Sequence, residues 1–182
     1  ALHAAIVGRD KDRLLETIEF FPEEGKYHLD GHRLCSVRWT PKETIRHKGA
    51  CSVCGKQVTV GVLARVEALA DRPEGEKPKD AVPFRSIVPL EQVIGEALGV
   101  GPASKKVQQV YMHLTDRVGS EFAVLLDIPI PQIVAEAGER VAEAVRRVRI
   151  GELTVLGGYD GQYGTVRIFR EDEMESKQKS LL

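Results

Sequence analysis

Two stretches in the second half of the chain repeat apolar residues at helical intervals. Val107, Val110, Tyr111, Leu114 and Val118 fall at steps of three, one, three and four, and Ile133, Ala137, Val141, Val145 and Val148 at four, four, four and three. Each pattern turns one apolar stripe toward a core and leaves Lys, Arg, Glu and Gln outside, as amphipathic helices require. A further helix is predicted from Leu90 to Leu98. Between these, Glu121 to Ile130 is apolar and proline-bounded, which fits a short helix or an extended turn. The first 25 residues hold a short helical pattern, with Leu14, Leu15 and Ile18 on one side, and a strand-like stretch from Thr17 to Phe21 stopped by Pro22. Near the end, Leu153–Leu156 and Thr165–Phe169 flank the glycine-rich GGYDGQYG, a hairpin signal. No solenoid-length repeat is present.

These patterns divide the chain into five pieces: 1–25, a cysteine-bearing module over 26–70, a linker over 71–85, a helical region over 86–170 and a flexible polar tail over 171–182. The linker carries three prolines amid dense charge. The expected fold class is α+β: a small metal ribbon, then a mainly α-helical region, then a C-terminal β-hairpin.

Composition adds bounds. With 182 residues, 42% hydrophobic and 29% charged, the chain has the balance of a folded globular protein. No apolar run reaches the roughly 18 residues that span a bilayer, and the opening lacks a signal-peptide pattern, so no membrane role is expected. Three cysteines are too few for a secreted disulfide scaffold and suit a reducing, cytoplasmic setting. The net charge of −1 offers no global argument for nucleic acid, so that argument must be local. An opening at Ala1 without methionine reads as part of something longer.

The strongest chemical signal is Cys51-Ser-Val-Cys54-Gly55, whose two-residue spacer lets two thiolates reach one metal from a tight turn. Upstream, His32-Arg-Leu-Cys35 repeats the spacer, with 15 residues between Cys35 and Cys51. His32, Cys35, Cys51 and Cys54 therefore form a candidate closed, structural zinc site. His28 is the rival fourth ligand, while His47 has no knuckle spacing. The alternative is a metal-free or redox Cys-x-x-Cys, which would want a strand before it and a long helix after it; here the strand-like QVTVGV follows. From Lys26 to Lys56 seven basic residues stand against two acidic ones. Lys26, Arg33 and the only tryptophan, Trp39, make a basic, aromatic face suited to phosphates and bases. On the bland reading the tryptophan is the ribbon's own core and the cations only solvate it.

The second signal is Leu98-Gly99-Val100-Gly101-Pro102-Ala103-Ser104-Lys105-Lys106 between two predicted helices. Two glycines allow a sharp turn, Pro102 suits the start of the second helix, and exposed amides there can take an anion. The segment resembles the helix-hairpin-helix motif, which grips a DNA phosphate without reading sequence. Gly99, Gly101, Ser104, Lys105 and Lys106 are its candidate contacts; the alternative is an ordinary tight turn. A degenerate second copy lies at Ile133 to Val148, with Gly138, Ala142 and Ala144 but no paired glycines.

Several chemistries lack their motifs. No Gly-x-x-x-x-Gly-Lys-Ser/Thr loop, His-x-His, His-Glu-x-x-His or Gly-x-Ser-x-Gly is present. A nucleotide motor, an open catalytic metal cluster and a serine hydrolase are thus disfavoured, and no catalytic residue is nominated.

Taken together, FFPEEGKYHLDGHRLC, CSVCGKQVTVGVLARVEALADRP, LGVGPASKKV and GGYDGQYGTVRIF resemble the back half of the endonuclease Q family, over about Thr17 to Phe169. Such proteins are also labelled helicase-II-related or as bearing a polymerase-and-histidinol-phosphatase (PHP) domain. The resemblance implies nicking of DNA 5′ to a deaminated base such as uracil or hypoxanthine, or to an abasic site. It places the catalytic metals in an N-terminal PHP domain, of which residues 1–25 would be the tail end. It carries metal ligands onto His32, Cys35, Cys51 and Cys54, the first departing from the commoner four-cysteine pattern, and phosphate-gripping glycines onto Gly99 and Gly101. The expected partners are DNA, that catalytic domain and a replication or repair protein. The rival expectation is a protein-interaction module docking a polymerase clamp or helicase subunit.

Overall fold

A computed structural model describes residues 2–8, 12–79 and 81–174. The chain divides into two compact units, Ala1–Ser86 with Leu156–Thr165, and Ile87–Val155 with Val166–Leu182. The architecture is α+β, built of helices and small two-stranded sheets.

The first unit begins with helix α1 (Leu2–Val7) and strand β1 (Thr17–Glu19). The helical pattern at Leu14, Leu15 and Ile18 is not realised, because Thr17–Glu19 is drawn into a ladder. Strand β2 (Asp30–His32) pairs antiparallel with β3 (Val37–Trp39), in register Asp30↔Trp39, Gly31↔Arg38 and His32↔Val37. Helix α2 (Pro41–Arg46) follows, opened by a capping box. Thr40 Oγ1 accepts from the Glu43 amide, and the Thr40 amide donates to Glu43 Oε2 at 2.8 Å. Residues 57–60 form isolated bridges, Ala50↔Gln57 and Gly31↔Thr59, rather than the continuous strand their alternation predicts. Helix α3 (Val62–Leu69) comes next, then strand β4 (Phe84–Ser86), which pairs parallel with β1. The buried cluster of Val37, Cys51 and Val58, with Cys35 and Trp39 packed on it, is small. So little apolar burial leaves room for a cross-link to supply the stability.

The second unit is helical: α4 (Leu90–Leu98), α5 (Lys105–Arg117), α6 (Glu121–Leu126), α7 (Ile130–Ala137) and α8 (Glu139–Ile150). Leu90, Val93, Ile94, Val107, Leu114, Val124, Leu125, Ile133, Val141 and Val145 are all buried at its centre. The apolar period across 133–148 belongs to two helices, because Gly138 breaks it at φ +84°. The chain leaves this unit along β5 (Thr154–Leu156) and returns along β6 (Thr165–Arg167), the pair flanking the glycine-rich loop.

Polar side chains bind the helices. Arg149 donates to the carbonyls of Val124, Leu125 and Ile128 at 2.7–3.0 Å, satisfying the open end of α6. Glu121 accepts from the Leu90 amide and from the Tyr111 hydroxyl. Glu96 accepts from the amides of Ile168 and Phe169. The Phe169 ring lies under Arg140 at 3.5 Å and Arg147 at 4.7 Å. Of the polar tail, Glu173 pairs with Arg147 at 2.6 Å, and residues 175–182 lie outside the described residues.

Candidate metal centre and nucleic-acid interface

The β2–β3 turn brings His32 and Cys35 to one point. Residues Arg33–Cys35 form a 3₁₀ turn that Ser36 closes in the left-handed region at φ 54°. A second turn presents Cys51 and Cys54. There the Gly55 amide donates to the Cys51 carbonyl at 2.8 Å, and Gly55 adopts φ +73°, a conformation glycine takes at no steric cost.

The ligand atoms of His32, Cys35, Cys51 and Cys54 all lie within 4.8 Å of one another. Cys54 Sγ is 3.4 Å from His32 Nδ1. A tetrahedral ion with nitrogen at about 2.0 Å and sulfur at about 2.3 Å holds such atoms roughly 3.5 Å apart, so this donor set could hold one metal ion. His32, not His28, belongs to the group.

The surroundings push two of the thiols in opposite directions. Burial, with hydrogen bonds to Cys54 and Cys51, pushes the Cys35 thiol up to about 11. Burial also raises Cys51, but the amides of Cys54 and Val53 and the His32 side chain outweigh it and leave that thiol at about 6. Of these two thiols Cys51 is the one its turn favours as thiolate, the form in which cysteine binds a metal.

Sequence reasoning missed the group that braces this centre. Asp160, in the loop between β5 and β6, accepts from the Arg33 amide and from Thr59 Oγ1, each at 2.6 Å. The Thr59 hydroxyl and the Arg33 amide hold its carboxyl below the usual range, against a smaller upward push from burial. The loop is also laced to the chain before the ribbon. The Leu29 amide donates to the Gly158 carbonyl, and Gly158 and Gly164 donate to the carbonyls of Glu23 and Glu24. GGYDGQYG reads as a hairpin turn, but a partner 101 residues away in Thr59 has no local signature.

The expected DNA-contact residues fall into two separate groups. In the first unit, Lys26 and Arg33 are exposed. The Lys26 ammonium lies over the rings of Tyr27 and Tyr163. Trp39 is half-buried, and the His47 ring stacks on it with centroids 4.3 Å apart and planes 9° apart. In the second unit, Gly99 caps α4 at φ +70°, and Gly101, Lys105 and Lys106 are exposed. Helix α5 starts at Lys105 rather than at Pro102, because Ser104 is its cap and accepts from the Val107 amide. Gly95 was missed as well: a Cβ there would lie 2.9 Å from the Val100 carbonyl, so its bareness lets the turn fold back on α4.

Residues 89–152 match the family described as MJ0043 C-terminal domain. The crystal structure of the lesion-specific endonuclease PfuEndoQ from Pyrococcus furiosus matches with TM-score 0.72 and 32% identity, over 87% of this chain and 40% of that one. The chain resembles the endonuclease Q family over most of its length. An endonuclease Q complex with a 27-mer duplex bearing an abasic lesion at the active site matches with TM-score 0.70 and 33% identity, over 91% of this chain and 41% of that one. The similarity is that of an endonuclease Q C-terminal region and supports a relationship to DNA repair endonucleases. Protein MJ0043 of Methanocaldococcus jannaschii is 30% identical over 85% of this chain, and YqxK of Bacillus subtilis 27% identical over 90%. The chain spans 19% and 38% of those two relatives and about two fifths of the endonuclease Q chains. No helix among the described residues is long and apolar enough to cross a membrane.

Proposed function

We propose that this chain is a zinc-stabilised, non-catalytic DNA-binding region of an endonuclease acting on deaminated bases or abasic sites. The observation that carries the reading is the similarity to an endonuclease Q solved on lesion-bearing duplex DNA, over 91% of this chain. His32, Cys35, Cys51 and Cys54 hold zinc, whose role is structural: with four protein ligands no position stays open for water. The zinc cross-links the two turns and so aligns Lys26 and Arg33. The Gly99–Gly101 turn acts as a helix-hairpin-helix, taking a phosphate at the start of α5 with Lys105 and Lys106 beside it. Residues 1–25 complete a PHP-type catalytic domain, and bond cleavage belongs to that domain.

The test is anisotropy of a labelled duplex carrying an abasic site, titrated with the zinc-loaded chain. Binding is expected at ~50 mM salt, falling steeply toward ~200 mM, with little preference among flanking sequences. No nicking is expected with added divalent metal. Affinity no better than that of a neutral control protein at low salt would overturn the reading, as would nicking by the chain alone.

A further inference from the structure

Two tyrosines of the first unit stand out from its surface on a firmly held backbone. Tyr27 is 46% exposed and Tyr163 is 71% exposed. One ammonium serves both: Lys26 Nζ lies 5.6 Å from the Tyr27 ring centroid and 5.8 Å from that of Tyr163. Arg33 borders the same place. A Cβ on Gly161 would meet the Tyr27 hydroxyl at 3.7 Å and Arg33 Nη1 at 3.9 Å, so both side-chain tips converge beside a bare glycine.

The backbone beneath is laced rather than loose. Gly158 donates to the Glu23 carbonyl at 2.8 Å, Gly161 to the Lys26 carbonyl at 3.0 Å and Gly164 to the Glu24 carbonyl at 3.1 Å. Both oxygens of the nearby Asp160 carboxylate are already engaged, by Thr59 and by the Arg33 amide. Rings held this way lose little conformational freedom when a flat partner stacks on them. Lys26 and Arg33 stand exposed beside the rings, and base–aromatic stacking with cation contact to phosphate is how unpaired nucleic acid is held. Trp39 already has a ring face covered by His47, and Tyr159 is buried with Arg38 over its ring.

We propose that Tyr27 and Tyr163 stack the bases of an unpaired DNA strand while Lys26 and Arg33 hold its phosphates. The inference rests on the DNA-binding function above and names the form of DNA this unit takes.

The experiment measures binding of a fluorescein-labelled single-stranded oligodeoxyadenylate, and of a duplex, by the zinc-loaded chain and its variants. Tyr163→Ala is expected to lower single-strand affinity roughly tenfold, with Tyr163→Phe near wild type, because the ring and not the hydroxyl does the stacking. Duplex affinity should be retained in both. Lys26→Glu, at an exposed position where a folding defect is not expected, should give a loss of similar size. A Tyr27→Ala/Tyr163→Ala chain that binds the single strand like wild type overturns the inference and leaves these rings to a protein partner. A wild-type chain that binds duplex but no single strand overturns it while the proposed function stands. Binding of neither form overturns both.

Discussion

At the scale of single residues, a few side chains decide where polar groups are satisfied. Arg149 satisfies three carbonyls at the end of α6, and Asp160 ties the hairpin loop to the turn that carries His32 and Cys35. The metal ligands are the sharpest case. Ligand exchange for a bare side chain removes one donor of four from a module whose own core is only a handful of residues. His32→Ala and Cys54→Ser should each lose bound zinc, read as metal per chain by mass spectrometry, and should melt at lower temperature than wild type. Chelation of the wild-type chain should mimic them. Retention of one zinc by His32→Ala would contradict the assignment. Spacing favours His32 over His28, since the x-x pattern of His32 and Cys35 repeats that of Cys51 and Cys54, and His32 is the histidine that lies beside the three cysteines. The Asp160 brace was not legible, because spacing encodes local turns and not contacts made across a hundred residues.

At the scale of elements, helices read well and their ends less well. The core stripe of α5 follows directly from the period of Val107, Val110, Tyr111 and Leu114. Its start at Lys105 depends on a hydroxyl capping the helix, and a serine three residues past a glycine is equally at home in a turn. The short strands were harder: with three residues each they carry too little alternation to mark a register. The turn from α4 to α5 yields a prediction whose sign can be decided. In an open helix Gly→Ala gains about 0.8–1.0 kcal/mol from propensity. At Gly95 the added methyl would sit 2.9 Å from the Val100 carbonyl and 3.2 Å from the Pro102 backbone, where neither neighbour is a flexible side-chain end. Overpacking of that kind costs about 1–3 kcal/mol, so the clash outweighs the gain. Gly95→Ala should therefore lower the thermal midpoint and weaken duplex binding through the displaced turn. A higher midpoint with unchanged binding would show that the turn is not packed as described.

At the scale of the whole molecule, a net charge of −1 conceals a local arrangement. Screening over a Debye length of about 10 Å at ~0.1 M salt means a phosphate senses the cations beside it rather than the sum over the chain. Seven of the basic residues fall between Lys26 and Lys56, and Lys105 and Lys106 open α5 without a carboxylate in its first turn. The proposed DNA-holding role draws on similarity to endonuclease Q over nearly the whole chain, at about two fifths of that protein's length. That claim is tested most directly by the salt dependence of duplex binding in Lys105→Glu/Lys106→Glu beside wild type. At least a roughly tenfold loss of affinity is expected at ~50 mM salt, with a log–log salt slope shallower by about two, one for each phosphate contact given up. An unchanged affinity and slope in the folded, zinc-loaded double variant would contradict it.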